Sequence, residues 1–66
     1  DLRDKAKLLA IELKQKGIKS VYINGDDQMT DILRLTCIEA GLTISDLPEG
    51  CVLEADGRGY RVRMKQ

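Results

Sequence analysis

The stretch VYINGDDQMTD, Val21 to Asp31, decides how this chain is read. A run rich in β-branched and aromatic residues stops at Gly25, and a helical pattern begins just past two aspartates. Strand followed by helix through a glycine is the junction that holds nucleotide phosphates in many α/β proteins, because backbone N–H groups and the helix dipole converge there on the anion. This junction has a single glycine and no lysine, and Asp26, Asp27 and Asp31 already stand at the positive end of the dipole. Three carboxylates repel a phosphate at close range. Two readings of the acids are open. Clustered carboxylates can hold Mg²⁺, but N-capping plus a solvated first turn accounts for the placement without a metal. Asn24-Gly25 supplies the positive φ that the turn needs.

The pattern extends outward on both sides. Upstream, Leu2, Ala6, Leu9, Ala10 and Leu13 fall on one stripe of a helix running from Leu2 to Lys16, which Gly17 ends. The segment from Ile18 to Ile23 then reads as a buried strand. Downstream, Asp26 or Asp27 caps a second helix that Gly41 closes, with Met29, Ile32, Leu33, Thr36, Cys37 and Ala40 as its apolar face. Leu42-Thr43-Ile44 is a short strand, and Pro48 and Gly50 mark a turn. The tail is a hairpin around Asp56-Gly57. A two-residue loop there sets Leu53 against Tyr60 and Cys51 against Val62. A four-residue loop from Asp56 to Gly59 keeps the same faces. Either way Cys51, Leu53, Ala55, Tyr60, Val62 and Met64 share one face, and Val52, Glu54, Gly59, Arg61, Arg63 and Lys65 the other. The expected fold is a two-layer α/β (α+β) domain of order α-β-α-β-β-β, with two helices on one face of a small mixed sheet that ends in a hairpin.

With 66 residues, 42% of them apolar, the chain is one domain with a small aliphatic core, since Trp, Phe and His are absent. It opens at Asp1 without a methionine and turns helical almost at once, as expected of a domain (1–66) excised from a larger protein. No apolar run approaches the length of a membrane span, and no signal peptide is recognised. Cys37 and Cys51 are too few for a disulfide scaffold and are read as buried, reduced thiols, which suits a cytoplasmic protein. Catalysis has few candidates. Histidine is missing, both cysteines sit at core-facing positions, and Ser20 and Ser45 have no base at a recognisable spacing. No enzyme activity, metal or cofactor is expected.

Binding has better candidates. Net charge is zero, but Arg34 is the only base between residues 24 and 50, while both ends of the chain are basic. Strand alternation puts Arg61, Arg63 and Lys65 on one face about 7 Å apart, close to the phosphate repeat of a nucleic-acid strand, and Arg58 extends the row at the hairpin tip. A charged outer face is also what any half-exposed sheet presents, and Glu54 shares it. Without further aromatics a base-stacking platform has little support. On the helices, Leu8, Ile11, Leu35 and Ile38 lie far around from the main apolar stripes. They either pack helix against helix or form a surface for another domain or a second copy.

The segment Ala10 to Ile44 resembles a small α/β domain of conjugative relaxases, plasmid primases and other large polyvalent mobile-element proteins. The matching residues are Gly17, Val21, Ile23, Gly25, Ala40, Gly41, Leu42 and Ile44. Where that family carries an aromatic–basic pair early in the second helix, this chain has Met29-Thr30-Asp31. The element order is also similar to that of Alba-type chromatin proteins and the C-terminal domain of translation initiation factor three, although both begin with a strand that this chain lacks. The resemblance implies a non-catalytic module of a DNA-processing protein. The expectation is weak contact with nucleic-acid backbone, DNA above all, through Arg58, Arg61, Arg63 and Lys65. The alternative is a protein-interaction or oligomerisation domain using Leu8, Ile11, Leu35 and Ile38 against the parent protein's other domains or a second copy.

Overall fold

The computed structural model describes residues 1–64, so Lys65 of the basic row lies outside the described residues. The elements follow the expected order: α1 (Leu2–Gln15), β1 (Ser20–Asn24), α2 (Gln28–Glu39), β2 (Thr43–Ile44), β3 (Cys51–Asp56) and β4 (Gly59–Met64). The sheet order is β2-β1-β3-β4. β1 runs parallel to both of its neighbours, and β3 and β4 are antiparallel.

Both helices stop by the same device. At the end of α1, the Gly17 N–H bonds to the Lys14 carbonyl and the Ile18 N–H to Leu13. At the end of α2, the Gly41 N–H bonds to Ile38 and the Leu42 N–H to Cys37. These are paired Schellman bonds, and they require a left-handed residue at Gly17 (φ 85°) and Gly41 (φ 93°). Each motif also drops an apolar residue, Ile18 or Leu42, back onto the core just as the chain turns into the sheet.

The core is one cluster between the layers. Ala6, Ala10 and Leu13 of α1 and Leu33 and Cys37 of α2 meet Val21 and Ile23 of β1 and Cys51 and Leu53 of β3. All four strand residues lie on one side by alternation, so both helices cover the same face of the sheet. Right-handed parallel connections put α2 on that face between β1 and β2. The next connection, residues 45–50, carries the chain from one side of β1 to the other, and the same handedness assigns it to the opposite face.

The structure adds to the sequence-based picture in three places. The hairpin turn is Gly57-Arg58, so Ala55 pairs with Tyr60, Leu53 with Val62 and Cys51 with Met64. That is the register of the longer loop, two residues away from the Asp56-Gly57 alternative, and it keeps the faces unchanged. Gly57, at φ 63°, takes the first turn position, as a type II′ turn requires, and Arg58 has a negative φ. Second, Val52 on the outer face is only 1% exposed. It stands in a row between Tyr22 and Arg63, on the side assigned to the 45–50 connection. Third, Val62 and Met64 share the inner face but stay 38% and 63% exposed. α1 crosses the sheet diagonally: Lys5 near its start donates to the Arg58 carbonyl at the hairpin tip, and Lys14 near its end donates to the Gly41 carbonyl past α2. The far half of β4 is therefore left without a helix above it.

Leu33 is fully buried and Leu35, two residues on and on the opposite side of the same helix, is 59% exposed. Leu33→Ala should cost about 2–5 kcal/mol through lost burial and a cavity, whereas Leu35→Ala should stay within about 0.5 kcal/mol of the parent. Urea denaturation of the two variants measures the contrast.

Candidate functional site

The β1–α2 junction is filled by its own side chains. Asp27 is the N-cap: its Oδ1 accepts from the Thr30 N–H at 2.9 Å, and the Thr30 hydroxyl lies 3.0 Å from both that oxygen and the Asp27 carbonyl. The Thr30 backbone bond, then its hydroxyl, hold the Asp27 carboxyl below its ordinary value. Thr30 is buried and presses on Gly25, where a Cβ would meet the Thr30 methyl at 3.0 Å. Asp31 pairs with Arg34 at 3.0 Å, and the same guanidinium turns back to the carbonyls of Ile23, at 3.3 Å, and Gly25. Of the three aspartates, one caps, one is paired and Asp26 is exposed. Among the described residues no group of three or more His, Cys, Asp or Glu is arranged to hold a metal ion. Arg34 therefore closes the end of β1 and offers little free charge there. Neither its role nor the burial of Thr30 is visible in hydrophobic periodicity.

The two cysteines are free and buried in the core. Burial, with a smaller contribution from Cys51, pushes the Cys37 thiol up to about 11, and burial also raises Cys51. Both are neutral thiols at physiological pH. Tyr60 donates its hydroxyl to the Met29 carbonyl at 2.7 Å, and burial, then Asp27, raise its phenol above the ordinary value.

The basic row is held more tightly than expected. Arg61 Nη2 and Arg63 Nε both reach Glu54 Oε1, at 3.1 and 2.9 Å. The Glu54 side chain is 15% exposed, while the arginines are 53% and 49% exposed. Desolvation acts to raise the Glu54 carboxyl, but the Arg61 hydrogen bond and the charges of Arg63 and Arg61 outweigh it, and the carboxyl is lowered overall. Glu54 thus stays ionised, and the trio carries one net positive charge. Arg58 does not extend this row: at the hairpin tip it lines a pocket on the helix side with Leu2, Lys5 and Met29, and Lys5 of α1 donates to its carbonyl at 2.9 Å.

The second candidate surface is more open. Leu8, Ile11, Leu35 and Ile38 are 68%, 49%, 59% and 58% exposed. Each lies off the buried stripe of its helix, with Ile11 at the rim of the seam between the helices. The reading in which they pack helix against helix is thereby corrected. Small residues on both helices, Ala6 and Ala10 of α1 and Thr36 of α2, are buried in the layer beneath. A groove lined by Lys7 and Ile11 on one side and Thr36, Glu39 and Ala40 on the other runs along the seam.

No protein-family model, curated protein or solved structure matches the chain. Among the described residues no helix is long and apolar enough to cross a membrane.

The cap gives a pH signature. Because the folded pKa of Asp27 lies below the ordinary value of 3.8, its contribution is present above that value and is lost as pH falls through it toward the folded pKa. Asp27→Asn should keep the helix cap but flatten this acid-side loss, and Asp27→Ala should lower stability at neutral pH as well. Thermal melts of the three proteins between neutral pH and about pH 2 test the sign.

Proposed function

We propose that this chain is a non-catalytic interaction module of a DNA-processing protein, and that it docks through its outer helix face against a second copy of itself. The observation that carries this reading is the exposure of four large apolar side chains together on one layer. Apolar residues scattered singly are ordinary on protein surfaces, but a group on one face is what interaction surfaces present. Charge supports a second copy as the occupant. Between Leu2 and Gln15, α1 carries Arg3, Lys5, Lys7 and Lys14 against Asp4 and Glu12, whereas α2 carries Asp31 and Glu39 against Arg34, with Asp27 at its cap. A two-fold axis over the seam sets basic α1 on acidic α2 of the other copy, with Ile11 and Leu35 near the centre. The relaxase-type resemblance of residues 10–44 supports the choice of parent protein. Sedimentation of the isolated domain should show concentration-dependent dimerisation. Leu35→Glu should abolish it while the thermal melt stays within a few degrees of the parent, since the side chain is exposed. A parent domain that stays monomeric at high concentration overturns the reading.

A second reading is contact with nucleic-acid backbone, which the half-exposed guanidiniums of Arg61 and Arg63 favour. Neutralisation of three to four phosphates gives a log–log salt slope of about −2 to −3 on single strands. Glu54 competes for the same arginines. Glu54→Gln should therefore tighten binding to an oligonucleotide, and Arg61→Glu with Arg63→Glu should remove it. Fluorescence anisotropy across a salt series reads both, and an absence of binding at low salt sinks this reading.

A further inference from the structure

β4 is an open edge of unusual regularity. It is paired through six consecutive residues, from Gly59 to Met64, without a bulge or proline. Edge strands are ordinarily blunted by shortness, bulges, proline, charged side chains or charges that point inward, and on β4 the only such device among the described residues is the pair Arg61 and Arg63 on the outer face. The other edge, β2, is two residues long and follows that rule. On β4 the inward positions are Tyr60, Val62 and Met64, and the last two are exposed and apolar.

The turn fixes which backbone groups are free. In a two-residue hairpin the Asp56 carbonyl accepts from the Gly59 N–H, so Asp56 and Gly59 form a hydrogen-bonded pair. Alternation along an antiparallel ladder then turns the N–H and C=O of Arg61 and Arg63 toward β3, and those of Tyr60, Val62 and Met64 toward the open edge. A strand added there meets three features at once: unpaired backbone groups, the apolar side chains of Val62 and Met64 on the helix side, and Arg61 and Arg63 on the other.

Charge selects the occupant. A second, antiparallel β4 must align its own outward-facing positions with these, and the registers of greatest overlap set Arg61 opposite Arg61, Arg61 opposite Arg63, or Arg63 opposite Arg63. Like charges directly opposite destabilise a sheet. Two guanidiniums already share one Glu54 oxygen, so the edge carries surplus positive charge. We infer that the β4 edge takes up an extended protein segment in which acidic and apolar residues alternate, its acids against Arg61 and Arg63 and its apolar side chains against Val62 and Met64. This is strand addition, on a surface separate from the outer helix face.

The test uses a labelled peptide of alternating Glu and Val, with a Lys/Val peptide and an N-methylated Glu/Val peptide as controls. Anisotropy should rise with the Glu/Val peptide alone, and binding should weaken with salt. Hydrogen exchange should show new protection at the Tyr60, Val62 and Met64 amides. Val62→Pro removes an outward N–H without touching the β3 ladder and should weaken binding about tenfold or more. Should that variant unfold, Arg61→Gln with Arg63→Gln and the N-methylated peptide give the same reading in a folded protein. Equal binding of the Lys/Val or N-methylated peptide overturns the inference. So does protection of those amides that depends on protein concentration without peptide, which would mean self-pairing, or protection that an oligonucleotide reproduces and the Glu/Val peptide does not.

Discussion

β1 is flanked on both edges by parallel strands, and the rest of the structure depends on that constraint. Parallel neighbours cannot be joined by tight turns, so the chain must leave the sheet and return each time. α2 makes the first return, which places a helix over β1. The second return has only residues 45–50, and handedness assigns them to the other face. The central strand is thereby covered by helices on one face only: Val21 and Ile23 are buried, while Ser20 and Asn24 on the other face stay exposed and Tyr22 half-buried. The tight junction after β1 follows from the same demand. Gly25 lets the backbone pass against Thr30, Asp27 starts α2, and Arg34 collects the carbonyls at the end of the strand. The acids that look like a cluster in sequence are parts of this corner.

What was legible in the sequence was local. Schellman glycines, the capping aspartate, the apolar stripes and the alternation of the hairpin faces all depend on neighbours a few residues away, and each is found where the pattern put it. The hairpin register was legible only to within two residues, because Asp56-Gly57 and Gly57-Arg58 both put a glycine in the turn and both preserve the faces. What depends on strand order or helix angle was not legible. Val52 is buried on a central strand, between Tyr22 of β1 and Arg63 of β4, and Val62 is exposed because α1 runs diagonally. Neither fact has a signature in periodicity. For the candidate surfaces the pattern placed Arg61 and Arg63 on a common face and Leu8, Ile11, Leu35 and Ile38 off the core. It did not foretell that Glu54 would hold both arginines through one oxygen.

That pairing bears on how the basic strand works. A guanidinium bonded to a carboxylate that is itself mostly buried must give up that bond, or share it, before gripping a phosphate. The carboxylate left behind would lose the two partners that lower its pKa. Contact with a diffuse anion is therefore weaker than a count of bases suggests. A strand laid along the edge avoids the exchange, because its backbone bonds and apolar side chains supply attraction independent of the arginines. The acids it carries need only balance the surplus charge.

The outer helix face poses a different physical question, which is whether the fold itself has any use for its four apolar residues. Leucine is a strong helix former, so propensity alone accounts for Leu8 and Leu35. It does not account for Ile11 and Ile38, since β-branched residues lose side-chain freedom in a helix and are poorer formers than Lys, Glu or Gln. Burial does not account for them either, as about half of each side chain or more faces water. Nor do they screen the core, which is closed beneath them by Leu33, Cys37, Ala6 and Ala10, each with no exposure at all. A polar residue at either isoleucine position would cost the monomer little and would improve its solubility. Ile11 and Ile38 thus contribute to the folded monomer less than polar replacements would, and that imbalance is the physical argument behind the proposed docking face.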